Sequence, residues 1–386
     1  LDSIFGGVTV INELSNPDYR ALQLKDANGN FYRMRSLGKN SLKYKELIYD
    51  KAEISLNGGG VTEVIENLDP SERDITFYAA SHPYATLALP KLANSIGIFH
   101  TKPSLYYVPK QRKLGRFNES FGDELYLISL MPNKNGVGEG AFIYPDDIET
   151  ADDILIKLRE SGKVSVDEPN YLKSRLFDML VGDWDREKDR WRWAEFYNRD
   201  SLNVFVPVPK NRDDAFASYE GTILDVASSV FRKKAQGHLY DDELLDLKWF
   251  NKEGIIFDRA LLNQSGRRQW RFLAEEIQAK ITDEVIEEAF NEIPPEVQDQ
   301  TLSEIKEHLK ARRDNLAAIA DRYYDLLATL QSIEGTDRED VIEVTRLGKG
   351  KTRIRIYSTF DDEPQKLLLE RLFTSKDTKE LWVYGL

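Results

Sequence analysis

The chain has 386 residues, 41% of them hydrophobic, which is enough to bury a sizeable core and to form two or three compact units. Its 53 basic and 66 acidic residues give a formal net charge of −13, which argues against a broad nucleic-acid-binding or anionic-membrane surface. The absence of cysteine excludes disulfides and thiolate metal sites, the histidines (His82, His100, His238, His308) are too scattered for a zinc motif, and no apolar run reaches transmembrane length.

The elements read in order as follows. Ile4 to Ile11 predicts a glycine-containing loop entering a strand. Arg20–Lys25 and Phe31–Arg35 alternate around Asp26-Ala27-Asn28-Gly29, and Asn-Gly accepts positive φ, so a hairpin is expected. Leu42–Asn57 begins helical and then turns ambiguous, and Asn57-Gly58-Gly59-Gly60 is a flexible break. His82-Pro83 opens a helix through Leu87, Leu89 and Leu92 to Gly97, with Pro90 expected to bend it and His82 to act as a cap or structural hydrogen-bond group. Leu105–Val108 and Glu124–Leu130 predict strands ending near Met131-Pro132. Asn133–Gly140 predicts a loop, and Ala151–Gly162 an amphipathic helix.

The stretch from Tyr171 to Phe216 concentrates acidic, basic and tryptophan residues among apolar ones. Leu172, Leu176, Met179 and Leu180 have helical spacing, and Gly182 ends the helix. Arg190–Phe196 alternates as a half-buried strand, Asn198–Asn203 turns the chain, and Val204–Val208 returns it to Pro209 and Asn211-Arg212-Asp213-Asp214. The hairpin is expected to bring Asp183, Asp185 and Asp189 near Asp213 and Asp214. Carboxylates beside Arg186, Lys188 and Arg212 suit magnesium or manganese together with a phosphate, and an unligated carboxylate can accept a proton from a hydroxyl. Spacing alone leaves a second reading open, a solvated turn with surface ion pairs.

Beyond Ala217 the sequence is mostly helical to Leu330. Thr282-Asp283-Glu284 starts a helix with Val285, Ile286, Ala289 and Phe290 inward and Pro294-Pro295 past its end. Ile305, Leu309, Leu316, Ile319, Tyr323, Leu326 and Leu330 keep a three-four rhythm interrupted at Arg312. Both a coiled-coil seam and an internal packed helix fit that rhythm. Val341–Arg346, Thr352–Tyr357 and Glu380–Tyr384 then alternate as a small β module with Gly348-Lys349-Gly350 as its turn.

Gly182-Asp183-Trp184-Asp185-Arg186, followed by a strand and an Asp-Xaa-Ala-Phe turn, resembles the catalytic and metal loops of atypical kinases of the HipA-like, spore-coat CotH-like and secretory-pathway groups. The resemblance is closer to the kinase-like region of large bacterial envelope proteins that also carry metallophosphoesterase and outer-membrane barrel regions. It extends to HPYATLALPKLANSIGIFHTKPSLYYVP, RRDNLAAIADRYYDLL and KELWVYGL. It implies Asp185 as catalytic base and Asp213 as metal ligand, with Asp183 and Asp189 as further metal candidates. It also implies ATP with Mg or Mn as cofactor, and Arg35 or Lys39 as the sheet cation on the nucleotide phosphates. For Arg33 and Arg35 an exposed strand face is the other reading; Glu72 and Asp74 are candidates to meet the sheet cation or to lie on the surface. The Leu87–Leu92 helix would belong to the small lobe and Met131-Pro132 to the lobe connection. Two positions depart from the pattern: Glu187 stands where relatives carry His, and Arg190 where they carry Gln or Asn. A cation in that second metal-ligand position repels magnesium.

The expected architecture is α+β: a two-lobed atypical protein-kinase-like fold with a helical extension and a C-terminal β segment, divided at 1–131, 132–334 and 335–386. Two functions are expected as alternatives: phosphoryl transfer from a nucleotide to a hydroxyl acceptor, or a degenerate kinase-like scaffold meeting an envelope protein partner. Starting at Leu1 without an initiator Met, the chain is expected to be part of a longer polypeptide of the cell envelope, periplasmic or outer-membrane-associated.

Overall fold

The computed structural model describes residues 1–15, 19–37, 82–133, 145–160, 163–197, 203–217, 240–359 and 366–385. Lys39, Glu72, Asp74, His238, Leu42–Asn57, the 57–60 break and most of the 133–140 loop and 198–203 turn lie outside the described residues. Helices and sheets segregate along the chain, so the class is α+β.

An antiparallel sheet of β1 (Val8–Glu13), β2 (Ala21–Asp26), β3 (Phe31–Ser36), β4 (Ser104–Val108) and β5 (Glu124–Leu130) opens the fold, in the order β1-β2-β3-β5-β4. Its first tight turn forms because the Asp26 carboxylate accepts the Asn28 and Asn30 amides at 2.9 and 2.8 Å while Gly29 takes φ 89°. Alternation sends Leu22, Leu24, Tyr32, Met34, Tyr126 and Ile128 into one apolar cluster. Arg33 and Arg35 of β3 therefore point from the other face.

Helix α1 (Leu89–Ser95) follows a 3₁₀ turn at Ala85–Ala88. Pro90 does not bend it, because it occupies the first turn, where a missing N–H breaks no helical hydrogen bond. Leu92, Ala93 and Ile96 join the core that contains Ile286, Ala289 and Phe290, so this helix packs with the later helices. His82 does serve as a hydrogen-bond group: its Nδ1 accepts the Tyr84 amide at 3.3 Å and its Nε2 lies 3.1 Å from the Val297 carbonyl.

A second sheet, β6 (Asp147–Glu149), β7 (Val164–Val166), β8 (Trp191–Phe196) and β9 (Asn203–Pro209), runs in the order β6-β8-β9-β7, with β7 parallel to β9. Between its strands lie α2 (Ala151–Glu160) and α3 (Glu168–Val181). The latter starts earlier than its leucine spacing suggests, because Asp167 caps it by accepting the Asn170 amide at 3.1 Å. It ends at Gly182, in the left-handed region with φ 77°. Trp191 and Trp193 are fully buried against Tyr171, their ring centroids 5.0 and 5.5 Å away. Strand β8 is not half-exposed as expected: Ala194 and Glu195 are buried too, and Glu195 is matched by Lys157 at 2.7 Å.

Helices α4 (Ile255–Leu261), α5 (Arg267–Lys280), α6 (Asp283–Phe290), α7 (Gln300–Asp314) and α8 (Leu316–Ala328) surround α3. Thr282 and Asp299 cap α6 and α7. The long three-four rhythm is two helices split at Asn315, with Leu330 already in a strand, so it forms an internal core and no coiled-coil seam. Arg312 interrupts the rhythm because it is buried, with Nη2 2.9 Å from an Asp241 carboxylate oxygen and its guanidinium 4.3 Å from the Tyr240 ring centroid.

The C-terminal strands are β10 (Leu330–Glu334), β11 (Asp340–Gly348), β12 (Lys351–Ser358), β13 (Lys366–Thr374) and β14 (Glu380–Tyr384). Strands β11 to β13 form one antiparallel sheet, and β14 pairs in parallel with β10. Neither β10 nor β13 was expected. Leu367-Leu368-Leu369 breaks the period of two, and LQSIE continues the preceding helical rhythm.

A Cβ on Gly182 would stand 2.7 Å from the Tyr240 ring, at a φ that L residues rarely adopt. Gly182→Ala should therefore lower stability by about 2–4 kcal/mol in urea unfolding.

Candidate functional site

The site is built around the C-terminal turn of α3. Asp178, fully buried, accepts hydrogen bonds from Arg212 Nε at 2.7 Å and Arg175 Nη1 at 3.2 Å, and forms an ion pair with Arg186, whose Nε lies 3.2 Å away. Arg175 continues to Asp258 at 2.9 Å and to the Asn251 side-chain carbonyl at 2.6 Å. Arg186 also reaches Asp183 and donates to the Asn211 carbonyl at 2.6 Å. One buried carboxylate thus ties the 183–186 loop to the 211–216 turn. The Asp214 amide donates to Asp183 at 3.0 Å and the Phe216 amide to the Val181 carbonyl at 2.8 Å, holding Phe216 at φ 59°. Burial pushes the Asp183 carboxyl up, while Arg186 pulls it down.

Across this turn stand Arg33 and Arg35 of β3. Arg33 lies 2.7 Å and Arg35 3.3 Å from the Asp213 carboxylate, and Asn211 donates to the same group. The reading of both arginines as an exposed strand face is corrected: Arg35 is buried and Arg33 largely so, with both guanidinium groups over the Tyr19 ring at 5.9 and 5.4 Å. Asp185, buried, is engaged by Arg190. Asp189 is exposed in the 3₁₀ turn before β8 and stands apart from this group.

These pairs close the cleft between sheet and hairpin. Arg33, Arg35, Ser129, Thr86, His100, Arg212 and Asp213 line about 30 Å³ of free volume, whereas a pocket for a ligand of nucleotide size holds about 300 Å³ or more. Among the described residues no three carboxylate or histidine side chains assemble as a metal site. In this arrangement the donor set does not fit a divalent cation, because guanidinium groups already occupy the carboxylate oxygens that would bind it.

Asp178, Tyr19 and Asn211 are the members sequence reasoning gave no role in the site. Asp178 carried one signal: it is a lone carboxylate between Phe177 and Met179 in an apolar helical run.

No protein-family model matches the chain, and no curated protein matches it in sequence. Among solved structures it is similar to the Helicobacter pylori proinflammatory kinase CtkA, at 10% identity and a TM-score of 0.38, over 81% of this chain and 95% of that one. It is also similar to the Rio2 kinase from Chaetomium thermophilum, solved as a complex with ADP, Mg2+ and phosphoaspartate. That match has 10% identity and a TM-score of 0.25, over 83% of this chain and 68% of that one. At these TM-scores the functional reading rests on the chain's own geometry.

Beside the cleft, burial and the neighbouring Arg192 lower the Lys210 amine to about 8. Its unfolded value is about 10.4, so between these values the unfolded chain binds more protons and stability rises with pH. In phosphate-free buffer, urea midpoints should show Lys210→Met stabilising the protein near neutral pH, an advantage that shrinks as pH approaches about 10.

Proposed function

We propose that the chain is a two-lobed, kinase-like module whose catalytic cleft is closed by its own arginines and which acts through binding. The observation that carries this reading is the double neutralisation of the two carboxylates such a cleft needs, Asp185 by Arg190 and Asp213 by Arg33 and Arg35. Arg190 stands where a second metal ligand is expected from the sequence resemblance. A cation at that position competes with magnesium for the Asp185 oxygens. In this reading the module is a scaffold of the bacterial cell envelope, a placement supported by the sequence resemblance and tested by fractionation of the native host.

A second reading, nucleotide-dependent phosphoryl transfer with Asp185 as base, is favoured by one feature. The Arg33 and Arg35 cations of the sheet meet the Asp213 carboxylate of the hairpin across the cleft, the placement that nucleotide phosphates require. That reading needs both sets of ion pairs to open. Its acceptor would be a hydroxyl group on a protein, sugar or lipid.

Thermal unfolding separates the two. The wild-type protein should show no rise in Tm with ATP and magnesium or manganese, and Arg190→Asn should gain at least about threefold in magnesium affinity by calorimetry, since it frees Asp185. A saturable nucleotide shift in the wild type, or unchanged metal affinity in Arg190→Asn, contradicts the scaffold reading.

A further inference from the structure

Arg192 and Lys210 lie on the hairpin next to the closed cleft. Arg192 is registered with Val208, and the Lys210 amide continues the ladder by donating to the Arg190 carbonyl at 2.9 Å. The two cationic side chains are therefore diagonal neighbours on one face, within reach of each other. Both are half-buried. Among the described residues neither forms an ion pair: the Arg192 guanidinium donates only to its neighbour's carbonyl, Trp191 O at 2.8 Å, and the Lys210 ammonium meets no acceptor. Asp189, Glu187 and Asp153 act on them only from beyond contact.

This is costly in a chain with 66 carboxylates and a net charge of −13. Two adjacent, desolvated cations repel one another, and each loses hydration that no carboxylate among the described residues replaces. Around the neighbouring cleft the fold supplies a carboxylate to the guanidinium groups it covers: Arg175, Arg186, Arg190, Arg212 and Arg33 all have one. The missing counter-ion at Arg192 and Lys210 marks a place for an anion from outside the chain.

We propose that Arg192 and Lys210 form a binding site for a phosphoryl group carried by a ligand of this protein, distinct from the Arg33, Arg35 and Asp213 cleft. Two cations match a dianion better than a singly charged carboxylate. The guanidinium supplies paired N–H donors and the ammonium a point charge, the two modes by which proteins hold phosphate oxygens. The desolvation that lowers the Lys210 amine also strengthens its attraction for such an anion. The site goes beyond the scaffold reading and does not require catalysis.

The test uses the full chain without metal, in phosphate-free buffer at constant ionic strength. Tm is followed as inorganic phosphate is titrated, with O-phosphoserine in a parallel arm. A saturable rise that chloride does not reproduce is expected. The half-saturating concentration should increase at least about fivefold in Lys210→Met and in Arg192→Gln, stay unchanged in Lys188→Met, and recover in Lys210→Arg. Equal responses in wild type, Lys210→Met and Arg192→Gln would overturn the proposal. So would no response in wild type, or loss of the response only in Arg33→Gln, which assigns the anion to the cleft. Phosphoserine binding at least as tightly as free phosphate supports the esterified ligand, and its rejection overturns that part. Nucleotide titration is a separate experiment, so failure here leaves the reading of the cleft untouched.

Discussion

Asp178 is a buried carboxylate shared by Arg175, Arg186 and Arg212, and three parts of the chain meet at it: helix α3, the 183–186 loop and the turn after β9. A charge placed at 0% exposure is tolerated only because several cations and their hydrogen bonds surround it. The same holds for the cations, so the group stands or falls together; breaking such a pair from one side costs about 3–5 kcal/mol. Asp258 extends the group, accepting Arg175 at 2.9 Å and the Tyr171 hydroxyl at 2.7 Å, and so links it to the aromatic core under β8. The acidic loops keep fixed positions because these arginines leave them little freedom.

That rigidity bears on function. Rigid carboxylate loops facing a sheet that carries cations are what nucleotide and metal chemistry needs, and this chain has both halves. Yet the cations that oppose Asp185 and Asp213 are the protein's own. A cleft neutralised from within has little to offer an exogenous metal, while Arg192 and Lys210, beside it on the same hairpin and without an ion pair among the described residues, are the place proposed for an external anion. The two proposals share one logic: a counter-ion supplied by the fold makes a site structural, and one withheld leaves the site to a ligand.

Much of the fold was legible in the sequence because local chemistry dictated it. The Asn-Gly turn, the Thr282 cap, the Gly182 stop and the alternation of β3 and β12 each follow from local sequence preference. What was not legible depended on contacts distant in sequence. Arg33 and Arg35 read equally well as a solvated strand face, since nothing within the strand reveals that Asp213 lies across from it. Asp178 is a lone carboxylate in an apolar helical run, and only the fold brings its three arginines, two of them in later loops, to it. The parallel pairing of β10 with β14, about fifty residues apart in the chain, has no local signature at all.

The central claim is that internal arginines occupy the carboxylates of the cleft. The most direct measurement is a crystal structure of the protein grown with saturating ADP and magnesium. The account predicts that Arg190 remains on Asp185 and that Arg33 and Arg35 remain on Asp213, with no metal density between the two carboxylates. A magnesium ion bridging Asp185 or Asp213 to nucleotide phosphates, with the arginines displaced, would contradict it.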